Sequence, residues 1–206
     1  MWSRAASQLR ARVLQRLTPG TALARAGRIA LLLVLSWFSL RHLRDPAFQG
    51  IYGGINLALH EAGHLVFQWF GSDGLAAAGG TLFHLICVGA VGVVFWRQRD
   101  PFAVTVAMWW SGTVFVGAGH YAADARRQLL PLVTVGDGPA GHDWYTILDG
   151  IGLLAWDQQV GGVLRGSGLA LLATGIAAGA WTVWMRPRAA ARPDADITQK
   201  DGGGPG

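Results

Sequence analysis

Two histidines and a glutamate carry the clearest chemistry in this chain: His60, Glu61 and His64, in the run His60-Glu61-Ala62-Gly63-His64. On a helix, residues four apart share a face, so both imidazoles can converge on one ion. Two neutral imidazoles suit Zn²⁺, and the glutamate between them can serve as general base toward a water held there. Asn56 lies one turn earlier on the same face, within hydrogen-bonding reach of such a site. Across residues 50–71, Glu61 is the only formally charged side chain. A carboxylate at a bilayer centre costs about 2.5–3.5 kcal/mol, so its place in an apolar run points to function.

A catalytic zinc needs a third protein ligand and an open position. The candidates are His120, Asp124, His142, Asp143 and Asp149. His120 and Asp124 are one turn apart, and with Arg126 and Arg127 they also read as a capping and salt-bridge cluster. Asp143 opens a helix after a Gly-Pro-Ala-Gly loop, where the helix dipole alone would favour an acid. His142 and Asp149 share a face but sit two turns apart, roughly 10 Å, so only one of them can bind the ion directly. Asp149 stands among Ile147, Leu148, Gly150 and Ile151, where an unpartnered carboxylate is penalised.

The elements that must position these groups are helices in a membrane. Only 14% of the residues are charged, against about 25% in a soluble domain. The sequence predicts an all-α, polytopic transmembrane bundle of about six membrane segments: 29–43, 50–70, 81–96, 102–123, 142–156 and 163–185. The fifth is too short to cross unaided and is either short or re-entrant. The stretch 71–80, rich in Gly and Ala, reads as a tight turn between spans. Its free backbone, with Gly79 and Gly80, could also pair with an extended substrate. Gly175 and Gly179 have the spacing of close helix packing. Residues 1–28, with six arginines and no acid, form a basic arm, either amphipathic on an anionic membrane surface or disordered. Residues 186–206 read as a disordered tail. The net charge of +5 sits at the cytoplasmic flanks, which accounts for the high pI without a nucleic-acid partner. One cysteine, Cys87, excludes an internal disulfide and a Cys-based zinc site. With six crossings, one side collects twelve Lys and Arg and the other five, so both ends of the chain are expected in the cytoplasm.

The combination of a membrane-embedded His60-Glu61-Ala62-Gly63-His64 with a later Leu148-Asp149-Gly150 resembles the site-2 protease family of intramembrane zinc metalloproteases. The resemblance covers roughly residues 50–160. It implies zinc bound by His60, His64 and Asp149, with Glu61 as the base, and hydrolysis of peptide bonds in membrane substrates. It also implies a bacterial inner membrane. The family usually carries an Asn and a Pro shortly before its Leu-Asp-Gly; here the nearest proline is Pro139 and no Asn is present. That departure keeps His142-Asp143-Trp144 as a rival source of the ligand, an arrangement more similar to small bacterial relatives of the family. Asn56, His120, Gly79 and Gly80 are the expected surrounding residues. Two other classes fit the same composition: a non-catalytic scaffold or chaperone that keeps the fold, and a haem protein using His84 and His120.

Overall fold

A computed structural model describes residues 21–131 and 141–185. Among these, all regular structure is helical: α1 (Ala22–Arg44), α2 (Gly53–Phe67), α3 (Asp73–Arg97), α4 (Pro101–Ala122), α5 (Asp143–Gly150) and α6 (Asp157–Trp184), with 3₁₀ turns at Gln68–Phe70 and Leu154–Trp156. The first twenty residues of the basic arm and the tail from 186 lie outside the described residues.

Among the described residues, four stretches are long and apolar enough to cross a membrane: Ala22–Arg44, Asp73–Arg97, Pro101–Ala122 and Leu154–Trp184. The sequence predicts about six membrane segments; six α-helices are found among the described residues, and four of them have the length and apolar character of a span. The stretch expected to span at 50–70 forms α2 of 15 residues, about 22 Å long against the roughly 30 Å of a bilayer core. A 3₁₀ turn and Gly71, at φ 68°, end it. The fifth segment shrinks to the eight residues of α5, followed by a break at Gly152, φ 71°.

The helix ends follow local chemistry. Thr21 Oγ1 accepts from the Ala24 N–H, so α1 begins earlier than residue 29 and takes in Arg25 and Arg28. The Asp100 carboxylate accepts from Phe102 and Ala103, and Pro101 stands where its missing N–H costs nothing. Ser72 Oγ accepts from the Leu75 N–H and opens α3. The glycine-rich stretch 74–80 is therefore not a turn but the first turns of this helix. Its backbone is committed to helical hydrogen bonds, which removes the expected strand pairing with a substrate.

About half of α4 is buried within the protein, against about a fifth of the most apolar stretch of each of the other three long apolar helices, so the bundle is built around it. Its closest partner is α6. Gly112 and Gly119 on α4 face Gly168 and Gly161 on α6, and Gly175 on α6 faces the Thr105 and Trp109 backbone. These glycines recur every seven residues on both helices, which keeps them on one face. A Cβ on Gly168 would fall 2.6 Å from the Val116 nitrogen and 2.7 Å from the Gly112 oxygen, so the two backbones approach as small residues in membrane helices allow. Gly175 and Gly179 both lie at close contacts, Gly175 against Trp109 and Gly179 against Leu32. Leu35, Phe38, Trp109, Val116 and Leu172 form the buried core between α1, α4 and α6.

The other side of the bundle holds the site. α2 lies against the N-terminal turns of α3 at Gly79 and Gly80, and α5 also packs on α3. Gly63 makes the α2–α3 approach close: a Cβ there would strike the Gly79 carbonyl oxygen and lie 2.8 Å from the Gly80 Cα. Gly79 answers it, since a Cβ there would lie 2.5 Å from the Phe67 Cβ.

Candidate metal centre

His60 and His64 share one face of α2, their ring centroids 4.7 Å apart. Their Nε2 atoms both meet one atom from far along the chain, Oδ2 of Asp143, at 3.1 and 3.2 Å. Two ligand atoms each about 2.0 Å from one tetrahedral zinc stand about 3.3 Å apart, so these separations fit a shared ion. Glu61 is also at hand: one carboxylate oxygen lies within 4.8 Å of both histidines' ligand nitrogens, and all three residues are half-buried. Asp143 is the nearer carboxylate to both nitrogens, which leaves Glu61 beside the pair.

His64 is held by a second bond. Its Nδ1 lies 2.8 Å from the Ala76 carbonyl oxygen. A carbonyl only accepts, so Nδ1 carries the proton and donates. In the neutral ring Nε2 then presents a bare lone pair to the Asp143 carboxylate. Two lone pairs at 3.2 Å repel unless something positive stands between them, either a proton on His64 or a cation. Fixing Nδ1–H on a backbone carbonyl is also how metal-bound histidines are oriented. Two imidazoles and a carboxylate at these separations are thus a donor set that could hold a divalent ion, with a position left open.

Gly80 makes room for the centre. A Cβ there would sit 2.7 Å from Nε2 of both His60 and His64, so any other residue would intrude where the two rings converge. Gly79 and Gly80 therefore act through close packing, not through free backbone groups.

Asp143 is positioned by the start of α5. The His142 Nδ1 accepts from the Tyr145 N–H at 3.1 Å and caps the helix. The Tyr121 hydroxyl accepts from the Asp143 N–H at 3.3 Å. Burial opposes the charge on Asp143, but hydrogen bonds from His60 and His64 and the positive charge of their protonated rings outweigh it and hold its carboxyl below the usual range.

Asp149 is exposed at the far end of α5, beyond the buried Leu148. Six residues past Asp143, it stands about 9 Å along the axis and about 120° around it, so one short helix cannot aim both at the same point. The expected third ligand is Asp149; α5 instead brings Asp143 to the histidines and leaves Asp149 on the surface. His142 is buried, its ring 4.2 Å from that of Tyr121, with Nε2 3.6 Å from Asp124 Oδ2. Burial keeps its pKa below the ordinary value, in keeping with a neutral ring that accepts at Nδ1. Asp124 accepts from the Leu129 and Leu130 N–H groups at 3.1 and 2.9 Å and shapes the chain after α4. Asn56 accepts from Trp110 Nε1 at 2.8 Å, joining α2 to α4 one turn from His60. His120 has a buried Nε2 with no hydrogen-bond partner, as does Trp144 at Nε1.

Reading the residues alone missed the Ala76 carbonyl and the Tyr121 hydroxyl, since a backbone oxygen has no sequence signal and an isolated tyrosine little more. It also missed Asp157, fully buried at the start of α6, with Oδ1 2.7 Å from the Arg126 guanidinium. Comparison with protein-family models, curated proteins and solved structures gives no match.

Proposed function

We propose that this chain is a membrane-embedded metallohydrolase of the site-2 protease type, cutting peptide bonds in membrane-resident substrates. The observation that carries the reading is the convergence of His60 Nε2 and His64 Nε2 on Asp143 Oδ2 at 3.1 and 3.2 Å. His60, His64 and Asp143 would hold a zinc ion. When bound there, zinc supplies Lewis acidity: it polarises a carbonyl and lowers the pKa of water. Glu61, the remaining carboxylate beside the pair, takes a proton from the attacking water as its oxygen bonds to the peptide carbon. It returns that proton to the departing amide nitrogen as the C–N bond breaks. Asp143 brings negative charge to two neutral imidazoles. The Ala76 carbonyl and the Tyr121 hydroxyl keep His64 and Asp143 aimed.

The topology supports a location for the site. Four crossings put the basic arm, the short α3–α4 connection and the tail on one side, with twelve of the seventeen Lys and Arg. The arginines at 97 and 99 exchange sides with those at 126 and 127 relative to a six-crossing scheme, so the total is unchanged. The positive-inside rule then makes the chain's ends cytoplasmic, in a bacterial inner membrane by the family resemblance. The first turns of α3 and the start of α5 belong to the opposite end, so the centre opens toward the extracytoplasmic half.

Purified protein, prepared without chelators, is expected to carry about one Zn²⁺ per chain and to cleave a single-span helical substrate in liposomes. Protein without stoichiometric metal overturns the reading and favours a non-catalytic scaffold. Metal without cleavage retains the site and removes the proteolysis.

A further inference from the structure

Gly80 and His84 lie one helical turn apart on α3, on the same face. A Cβ at Gly80 would touch both imidazoles of the centre, so this face is the one turned toward His60 and His64. Side chains in a helix lean toward its N-terminus and cover the preceding turn, which carries the His84 ring back over the turn of Gly80. Its neighbours agree. The ring stands edge-on to Trp110, centroids 6.5 Å apart. Trp110 in turn donates to Asn56, one turn before His60. His84, Trp110 and Asn56 thus form a chain of contacts that ends one turn from His60.

His84 is only 4% exposed, and its Nε2 is buried with no hydrogen-bond partner. Buried polar atoms are nearly always satisfied, and a site is where an exception has a use. Trp110 Nε1 donates to Asn56 Oδ1 and the Asn56 amide donates to Thr113 Oγ1, so neither is paired with this nitrogen.

We propose that His84 Nε2 is a hydrogen-bond donor to the substrate oxygen that enters the centre, holding the carbonyl oxygen of the scissile peptide as negative charge grows on it. This rests on the metallohydrolase reading above. His84 makes and breaks no bond; it stabilises charge in a place from which water is excluded. A donor fixed before the substrate arrives needs no reorganisation during the reaction.

The test uses the full chain loaded with Co²⁺ and acetohydroxamate, a small chelating anion, as the probe, followed by visible absorption. Wild type and His84→Gln, which keeps a donor at the Nε2 position, are expected to bind the probe within about 3-fold of each other. His84→Phe, with its Co²⁺ retained and its helical circular dichroism unchanged, is expected to bind about 10-fold or more weakly, the worth of one hydrogen bond to a charged group. Equal probe affinity in His84→Phe overturns the proposal. So does loss of Co²⁺ in His84→Phe, since His84 is then a ligand. Failure of His84→Gln to restore affinity overturns it as well, because the ring would matter for shape and not for its N–H. Wild-type protein that takes up no Co²⁺ is a separate result and overturns the metallohydrolase reading itself.

Discussion

His60 Nε2 and Asp143 Oδ2 lie 3.1 Å apart across 83 residues of sequence, and His64 Nε2 meets the same oxygen at 3.2 Å. The contact joins α2 to α5, two helices shorter than the four candidate spans, beside Gly79 and Gly80 of α3.

If that oxygen is the third ligand, Asp143→Asn should weaken Zn²⁺ binding by more than about 100-fold, beyond the 10–100-fold typical of outer positions. Asp149→Asn should leave it unchanged, since Asp149 is exposed at the other end of α5. Competition with a chelating dye measures both. The reverse ranking would return the ligand to Asp149 and leave Asp143 as a helix-capping acid.

Glu61→Gln should keep stoichiometric zinc and lose hydrolysis. The amide preserves shape but cannot accept a proton from water. Cleavage in liposomes together with metal analysis on the same preparation tests this; full activity in the variant would show that another group is the base.

Gly80→Ala separates packing from helix propensity. Alanine favours a helix over glycine by about 1 kcal/mol, yet the added Cβ would sit 2.7 Å from both Nε2 atoms. Zinc binding should fall steeply while the helices persist. Gly74→Ala, on the same helix with nothing within 4 Å of its Cβ, should bind zinc normally and be neutral or slightly stabilised. Metal content and thermal melting of the two variants, compared side by side, decide the point.

Gly168→Ala tests the α4–α6 interface. Its Cβ would meet backbone atoms of Val116 and Gly112, which cannot swing aside. We expect a loss of about 1–3 kcal/mol, as for overpacking elsewhere, with zinc affinity little changed because the centre lies across the bundle. Unfolding in detergent by increasing denaturant measures it, and an unchanged midpoint would mean that the two helices can move apart freely.

Asp157→Ala should destabilise the protein by about 1–3 kcal/mol. Asp157 is fully buried and accepts from the Gln158 and Arg126 N–H groups besides its contact with the Arg126 side chain. Denaturant titration checks it; no shift would mean that water replaces all of these bonds.

What the sequence by itself determined is whatever depends on short spacings and composition. Low charge and long apolar runs mark a helical membrane protein, because an unpaired backbone or a charge is costly in hydrocarbon. The four-residue spacing of His60 and His64 puts two imidazoles on one face, because 3.6 residues make a turn. Tertiary structure decided the rest. Composition cannot tell a small-residue turn from a small-residue interface, so the stretch 71–80 read as a turn. Ser72 caps it into α3, and its glycines are explained only once α2 lies against them. An apolar run of twenty residues looks like a span, yet Gly71 ends α2 short. The choice between Asp143 and Asp149 could not be made from their neighbours in the chain. Both are acids on one short helix, and which of them meets the histidines depends on how α5 docks. The cap at His142 and the hydroxyl of Tyr121 turn its first residue inward, and the helical repeat then carries Asp149 away.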